Sequence, residues 1–174
     1  MSSEIGASEG TTAEVTAIER LVAVEEIKYL KSRYFDAVDM KDWSAIIGIF
    51  TEDAQVDFGG EGKHHVGHHG VTEADVNPDD WIVIGGPATA KVIEGAVGGI
   101  SSVHHGHDPQ IQIHSATRAT GRWKLYDRLE YGHEVMHGYG YYDEEYRCED
   151  GVWRISQLTL NRLRVVWEDM RKTG

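Results

Sequence analysis

The sequence predicts an α+β protein: helices first, then a strongly curved, mostly antiparallel sheet closing a cone-shaped barrel, with the helices on its concave face. Three observations carry this. Apolar residues in the first 50 positions recur at helical spacing, those beyond position 100 alternate as in strands, and the strand-like runs are joined by hairpin-length turns.

Residues 1–12 are rich in Ser, Gly, Thr and Glu without periodicity and read as a disordered tail; residues 13–170 read as one domain. Ile18, Leu21 and Val22, then Ile27, Leu30, Tyr34 and Val38, fall at three- and four-residue steps, so a long first helix should bury all of them on one broad face. Asp39-Met40-Lys41-Asp42 breaks the pattern before a short second helix from Trp43 to Phe50. Residues 54–58 read as a strand stopped by Gly59-Gly60. Pro87 suits the first turn of a helix over 87–97 that Gly98-Gly99 ends. Four long strands follow, at about 102–114, 117–131, 134–148 and 152–166. In the second of these, Trp123, Leu125, Leu129 and Tyr131 alternate with Arg122, Lys124, Arg128 and Glu130. Asp150-Gly151 supplies a tight turn before the last strand. There Trp153 and Ile155 share one parity while Leu158 and Leu160 share the other, and a β-bulge near Ser156-Gln157 would put all four on one face.

The chain has 174 residues, enough for a core without disulfide or metal staples. Its 17 Lys+Arg against 29 Asp+Glu give a net charge of −12, which argues against nucleic acid and anionic membrane partners. One cysteine, Cys148, excludes a disulfide framework and a four-cysteine zinc site. No run approaches the ~20 apolar residues that span a bilayer. The first fifteen residues lack a basic start and apolar run, so a cytoplasmic protein is expected.

Several residues could carry chemistry. Asp39 closes the first helix, with Asp36 as a competing acid; either could be a simple capping or surface aspartate. Tyr34 shares the buried phase of Leu30 and Val38, and its hydroxyl needs a partner. In Val103-His104-His105-Gly106-His107, strand alternation places His105 and His107 on one face and His104 on the other, so the three cannot converge on a metal. One inward histidine could instead act as a general base, or be merely hydrogen bonded. His64-His65 and His68-His69 look like a metal tract, yet Gly67 and the Gly-rich flanks oppose the helix that would align them. They read as solvated loop histidines, with no metal expected. Arg162 has the parity of Leu158 and Leu160 and should project inward, where it needs a carboxylate or an anion, unless a further bulge turns it out. Gly138 and Gly140, among Tyr139, Tyr141 and Tyr142, read as a bend in a curved sheet.

The run VEEIKYLKSRYFDAVDMKDWSAIIGIFTEDAQVDF, followed by ISSVHHGHDPQIQI, ATGRWKLYDRLEY, YYDEEYRCEDGVWRI and SQLTLNRLRVVW, resembles the SnoaL-like family of the nuclear-transport-factor-2-like superfamily over about residues 15–167. The resemblance implies an α+β cone, one pocket between helices and sheet, and elimination chemistry without a cofactor. Carried over position by position, the tyrosine of dehydratase members matches Tyr34. The helix-end aspartate matches Asp39, the strand histidine His104 and the C-terminal-strand arginine Arg162. The Asp and His also match the dyad of dehydrochlorinase members. Such a member would be a lyase or isomerase acting on a hydrophobic polycyclic small molecule. The alternatives are a non-catalytic binding or assembly domain, and the accessory small subunit of a ring-hydroxylating oxygenase. Relatives also imply a homo-oligomer, trimer before dimer, and strand parity turns Arg122, Lys124, Tyr126, Arg128 and Glu130 outward as a mixed polar-aromatic interface.

Overall fold

A computed structural model describes residues 15–77 and 82–172, so the 1–12 tail lies outside the described residues. Among the described residues, three α-helices accompany a six-stranded sheet that is strongly curved but not closed. Helix α1 spans Ala17–Asp39 and α2 Trp43–Ile49. They are followed by β1 (Phe50–Asp57), β2 (Ile82–Ile84), α3 (Gly86–Val97), β3 (Ser101–Ser115), β4 (Arg118–Tyr131), β5 (Glu134–Glu149) and β6 (Val152–Asp169). The order across the sheet is β2-β1-β6-β5-β4-β3, antiparallel throughout except for the parallel β1–β6 pair.

Helix α1 starts at a capping box: the Thr16 hydroxyl accepts from the Glu19 amide while the Glu19 carboxylate accepts from Thr16. Its buried stripe holds Ile27, Leu30, Tyr34 and Val38 as the periodicity predicts. The first turns differ from expectation. Ile18, Leu21 and Val22 are exposed, on a side of the helix that the sheet does not cover, although Arg20 between them reaches β3 and donates to the Ile113 carbonyl at 2.7 Å. Asp42 caps α2 by accepting from the Ala45 amide, and Pro87 sits in the first turn of α3.

The last two strands explain how one face of the sheet stays apolar. Glu145 pairs with Gln157 and Tyr146 with Ile155, so Ser156 is an extra residue and Trp153, Ile155, Leu158 and Leu160 all point inward. A second bulge leaves Leu163 unpaired and exposed, since Gly140 pairs with Arg162 and Tyr139 with Arg164. It lies just past Arg162, which therefore keeps the inward parity.

Helix α1 packs across β3, and Gly106 sets how closely. A Cβ at Gly106 would stand 2.6 Å from Cε2 of Phe35. Only a residue without a side chain lets Phe35 lie flat on the strand, which brings the end of α1 within reach of His104.

Candidate functional site

Sheet, α1 and α3 enclose a cavity of about 260 Å³, near the lower end of small-molecule pockets. Val38, Phe58, Ile93, Val97, Leu129 and Leu160 make its walls mainly apolar. Into it project Tyr34, His104 and Arg162, three of the four residues singled out from sequence; the fourth, Asp39, stands directly behind His104.

Asp39 Oδ1 is 2.6 Å from His104 Nδ1, and its Oδ2 accepts from the His104 backbone amide at 2.8 Å. The Ser102 hydroxyl donates to Oδ1 at 2.9 Å, and Lys41 Nζ donates to Ser102 at 2.7 Å. Burial raises the Asp39 pKa, but the hydrogen bonds and charge of His104, with Ser102, prevail and hold it below the usual carboxylate range. An ionised Asp39 holds a proton on His104 Nδ1, so the lone pair of the neutral ring is the one on Nε2. The competing acid Asp36 is exposed, and His105 and His107 meet each other and Tyr126 on the outer face of the sheet.

Tyr34 is buried. Burial, with the nearby Glu144 charge, keeps its hydroxyl protonated well above the ordinary tyrosine range, despite the hydroxyl of Tyr142 beside it. It can therefore only act as a neutral hydrogen-bonding group. Behind the two tyrosines lies a buried ion pair between Lys31 and Glu144, with Lys31 Nζ 3.7 Å from the centre of the Tyr142 ring and 4.4 Å from that of Tyr34. Glu144 also accepts from Tyr146, whose oxygen accepts from Trp123 at 2.8 Å. This network fixes the two rings from the rear and has no contact with the cavity among its Lys31 or Glu144 atoms.

Arg162 is held by two carboxylates that sequence reasoning did not identify. Its Nε and Nη2 donate to Glu61 at 2.9 and 2.8 Å, and its Nη1 donates to Asp127 Oδ1 at 2.8 Å. Asp127 Oδ2 lies 2.7 Å from Nη2 without an aligned hydrogen bond, so that contact is electrostatic only. Burial pushes Glu61 up, but His65 and Arg162 outweigh it and bring its pKa down to about 2. Burial likewise opposes the charge on Arg162, and Glu61 and Asp127 more than restore it. The strand parity that marked Leu125 and Leu129 also marked Asp127 as inward. It pairs directly with His104 across β3 and β4, and a charged residue on an apolar face was the available signal. Glu61 had none, since it lies in a short 3-10 turn, Glu61–His64, after β1.

Gly138 makes the Arg162–Asp127 pairing possible. It sits opposite Asp127 in the β4–β5 register, and a Cβ there would overlap the Asp127 carboxylate and lie 2.8 Å from Arg162 Cζ. Gly138→Ala is expected to cost about 1–3 kcal/mol by forcing the ion cluster apart. An unchanged unfolding midpoint in urea would show that the cluster tolerates the methyl group.

The histidine loop is solvated in part: His69 is exposed, while His64, His65 and His68 are half-buried. His65 Nδ1 is 2.9 Å from His69 Nε2, His69 stacks on Tyr131 at 4.1 Å between ring centres, and His68 stacks on Trp167 at 4.2 Å. His65 and His69 line the cavity. Among the described residues no group of three or more His, Cys, Asp or Glu side chains is placed to hold a metal ion. No described helix is long and apolar enough to cross a membrane.

Helices packed on a strongly curved, open sheet, with an Asp–His pair at a pocket between them, place the protein among the cone-shaped α+β domains. The SnoaL-like domain model matches residues 19–159, and the chain belongs to the SnoaL-like family of the nuclear-transport-factor-2-like superfamily. Its fold is similar to that of a candidate scytalone dehydratase from Novosphingobium aromaticivorans, with TM-score 0.71 and 21% identity over 87% of this chain and 91% of that one. It is also similar to a type 3 hexachlorocyclohexane dehydrochlorinase from Novosphingobium barchaimii, with TM-score 0.69 and 18% identity over 88% and 94%. A third likeness is a Mycobacterium tuberculosis protein of unknown function, with TM-score 0.66 and 23% identity over 84% and 79%.

Proposed function

We propose that the protein is a cofactor-independent lyase of the dehydratase type, or an isomerase, that removes a proton from a hydrophobic polycyclic molecule. The observation that carries this reading is the 2.6 Å Asp39–His104 contact, which leaves His104 Nε2 bare beside an apolar cavity. His104 takes a proton from a carbon next to a carbonyl, and Asp39 stabilises the imidazolium as it forms. The Tyr34 hydroxyl donates to the carbonyl oxygen as negative charge develops there. Arg162, with Asp127, fixes the substrate against His104. In elimination, the C–H electron pair forms the new double bond while the C–O bond on the adjacent carbon breaks, and the departing hydroxide takes the abstracted proton from the His104 imidazolium and leaves as water. In isomerisation, the proton returns to another carbon.

A pure binding or assembly domain, or an oxygenase small subunit, has no need of an oriented histidine in a buried cavity; that favours the enzyme. The likeness to a dehydratase and a dehydrochlorinase is in accord with a lyase. The protein should be incubated with polycyclic β-hydroxy ketones in deuterium oxide and the products analysed by mass spectrometry. Loss of water, or deuterium incorporation beside the carbonyl, is the expected result. A panel recovered unchanged and unlabelled would sink the reading.

We also propose that the chain forms a homo-oligomer, trimer first and dimer second. The outer sheet face carries Arg122, which pairs with Asp143 and lies 4.3 Å over the ring of Tyr141, together with the exposed Tyr139. Mixed charged and aromatic surfaces of this kind suit subunit contacts. Light scattering at micromolar concentration should give a multiple of 19.5 kDa, and the monomer mass would refute it.

A further inference from the structure

Ser102 and His104 stand two residues apart on β3, so their side chains share a face, and both contact Asp39 at the end of α1. Beyond Ser102 lies Lys41, whose Nζ donates to the serine oxygen at 2.7 Å. Valence fixes the hydrogens of this chain. A lysine ammonium has donors and no lone pair, and an ionised carboxylate has lone pairs and no hydrogen. Ser102 therefore accepts from Lys41 and gives its single hydroxyl hydrogen to Asp39 Oδ1 at 2.9 Å. Neither Lys41 nor Ser102 lines the cavity, so any effect of theirs on turnover runs through Asp39.

The backbone at Lys41 does not suit its residue type. Helix α1 ends in a Schellman motif: the Asp42 amide donates to the Ala37 carbonyl at 2.8 Å and the Lys41 amide to the Val38 carbonyl at 3.3 Å. Lys41 is the left-handed residue of that motif, with a φ of 62°. Glycine is favoured at such a position, because a Cβ crowds the backbone there. A lysine held against that preference is explained by what its side chain reaches, which is Ser102. The adjacent Asp42 does not draw it away, being occupied by the Ser44 hydroxyl and the Ala45 amide as the cap of α2.

Charge supplies the need for this contact. A carboxylate beside a histidine favours the imidazolium, which cannot act as a base. The other charged or titratable residues around the cavity are Asp127 of β4, Arg162 of β6, and Glu61, His65, His69 and Asp75 of the segment after β1, while its tyrosines stay protonated. Arg162 is the one Lys or Arg among them and is bound by Glu61 and Asp127. That leaves Lys41 as the cation placed to offset Asp39. Partial burial holds Lys41 below the ordinary lysine range, and the Asp39 charge pulls it back up, so the two groups sense each other.

We propose that Lys41 is a positioning residue of the Asp39–His104 pair: through Ser102 it holds the carboxylate and offsets its charge, so that His104 remains a neutral base. This rests on reading His104 as the base. The pKa of His104 is read by NMR from its Cε1–H resonance, assigned by its loss in His104→Gln. Lys41→Met, which keeps the stem and drops the charge, should raise it by about 0.5–1 pH unit. Lys41→Gly should raise it as well without lowering Tm, since glycine relieves the left-handed turn. Lys41→Arg keeps the charge and should leave it where it is in wild type. On a substrate that is turned over, Lys41→Met should lose about 3–10-fold in kcat/KM on the acid limb and nothing on the alkaline plateau.

An unmoved His104 in Lys41→Met would overturn the proposal, as would a Lys41→Arg protein that behaves like Lys41→Met. A Lys41→Gly protein that melts well below wild type with His104 unmoved would assign the lysine to the fold instead. A shifted His104 with no substrate turned over by wild type would remove the lyase reading and leave the relay standing. Turnover with an unmoved His104 would do the reverse.

Discussion

Asp39→Asn is expected to lower kcat by two to four orders of magnitude while the protein stays folded. The reason lies in three donors that converge on the carboxylate: Ser102 Oγ and His104 Nδ1 on Oδ1, and the His104 amide on Oδ2. An amide has one oxygen to offer. If it faces His104 Nδ1, its NH₂ meets the His104 backbone N–H, and the contact is lost. If it turns over, its NH₂ donates to Nδ1 and moves the imidazole proton to Nε2, where the base is needed. The first orientation keeps the tautomer but removes the negative charge that supports the imidazolium, the second puts the proton where the base is needed, and the unsatisfied donor costs about 1–3 kcal/mol of stability. Asp36→Asn, on the exposed side of the same helix, should leave turnover unchanged. The check is kcat on a turned-over substrate beside a thermal melt. A slow enzyme with a collapsed melt would assign Asp39 to the fold, and full activity would remove it from the site.

Arg162→Met should have the largest effect on stability. The side chain is nearly inaccessible, and Glu61 and Asp127 both depend on it. Removing one partner of a buried ion pair costs about 3–5 kcal/mol, because charges stay behind without compensation. For a chain of this size that is roughly 6–20 °C in Tm. The pH dependence gives the mechanism away. In wild type, Glu61 has a folded pKa of about 2 against an ordinary 4.5. Its contribution is therefore fully present above about pH 4.5 and is lost as pH falls toward 2. Without Arg162, only His65 is left to oppose burial at Glu61, so its pKa rises and the stability gap between wild type and variant should narrow as pH falls from 7 toward 4. A gap that stays constant over that range would show that Arg162 is not what keeps Glu61 ionised.

Much of the architecture was legible because the signals are local. Side-chain parity put His104 on the face opposite His105 and His107, the family resemblance singled out His104, and the clash of parities between Ile155 and Leu158 located the bulge at Ser156. Pro87 and Gly98 bounded α3 to within a residue. The start of α1 was written in Thr16 and Glu19, a capping pattern that apolar periodicity does not detect. Ile18, Leu21 and Val22 show the converse failure: periodicity states which residues share a face but not how far the sheet extends beneath it.

The amino-acid order by itself determined the helices-then-strands class, the hairpins, the inward phase of Tyr34 and the opposite faces of His104 and His105. Each depends on chain periods of two or 3.6 residues and on turn chemistry, which need no distant partner. Tertiary structure decided the rest. It put Asp39 and not Asp36 against His104, since Asp36 lies on the exposed side of the same helix. It supplied Glu61 and Asp127 as the partners of Arg162, across 101 and 35 residues of chain. It also turned His65 and His69 from loop residues into part of the cavity wall. These contacts exist only once the sheet has curved and closed distant segments onto one another, and a buried charge is stable only where that closure brings its counter-charge.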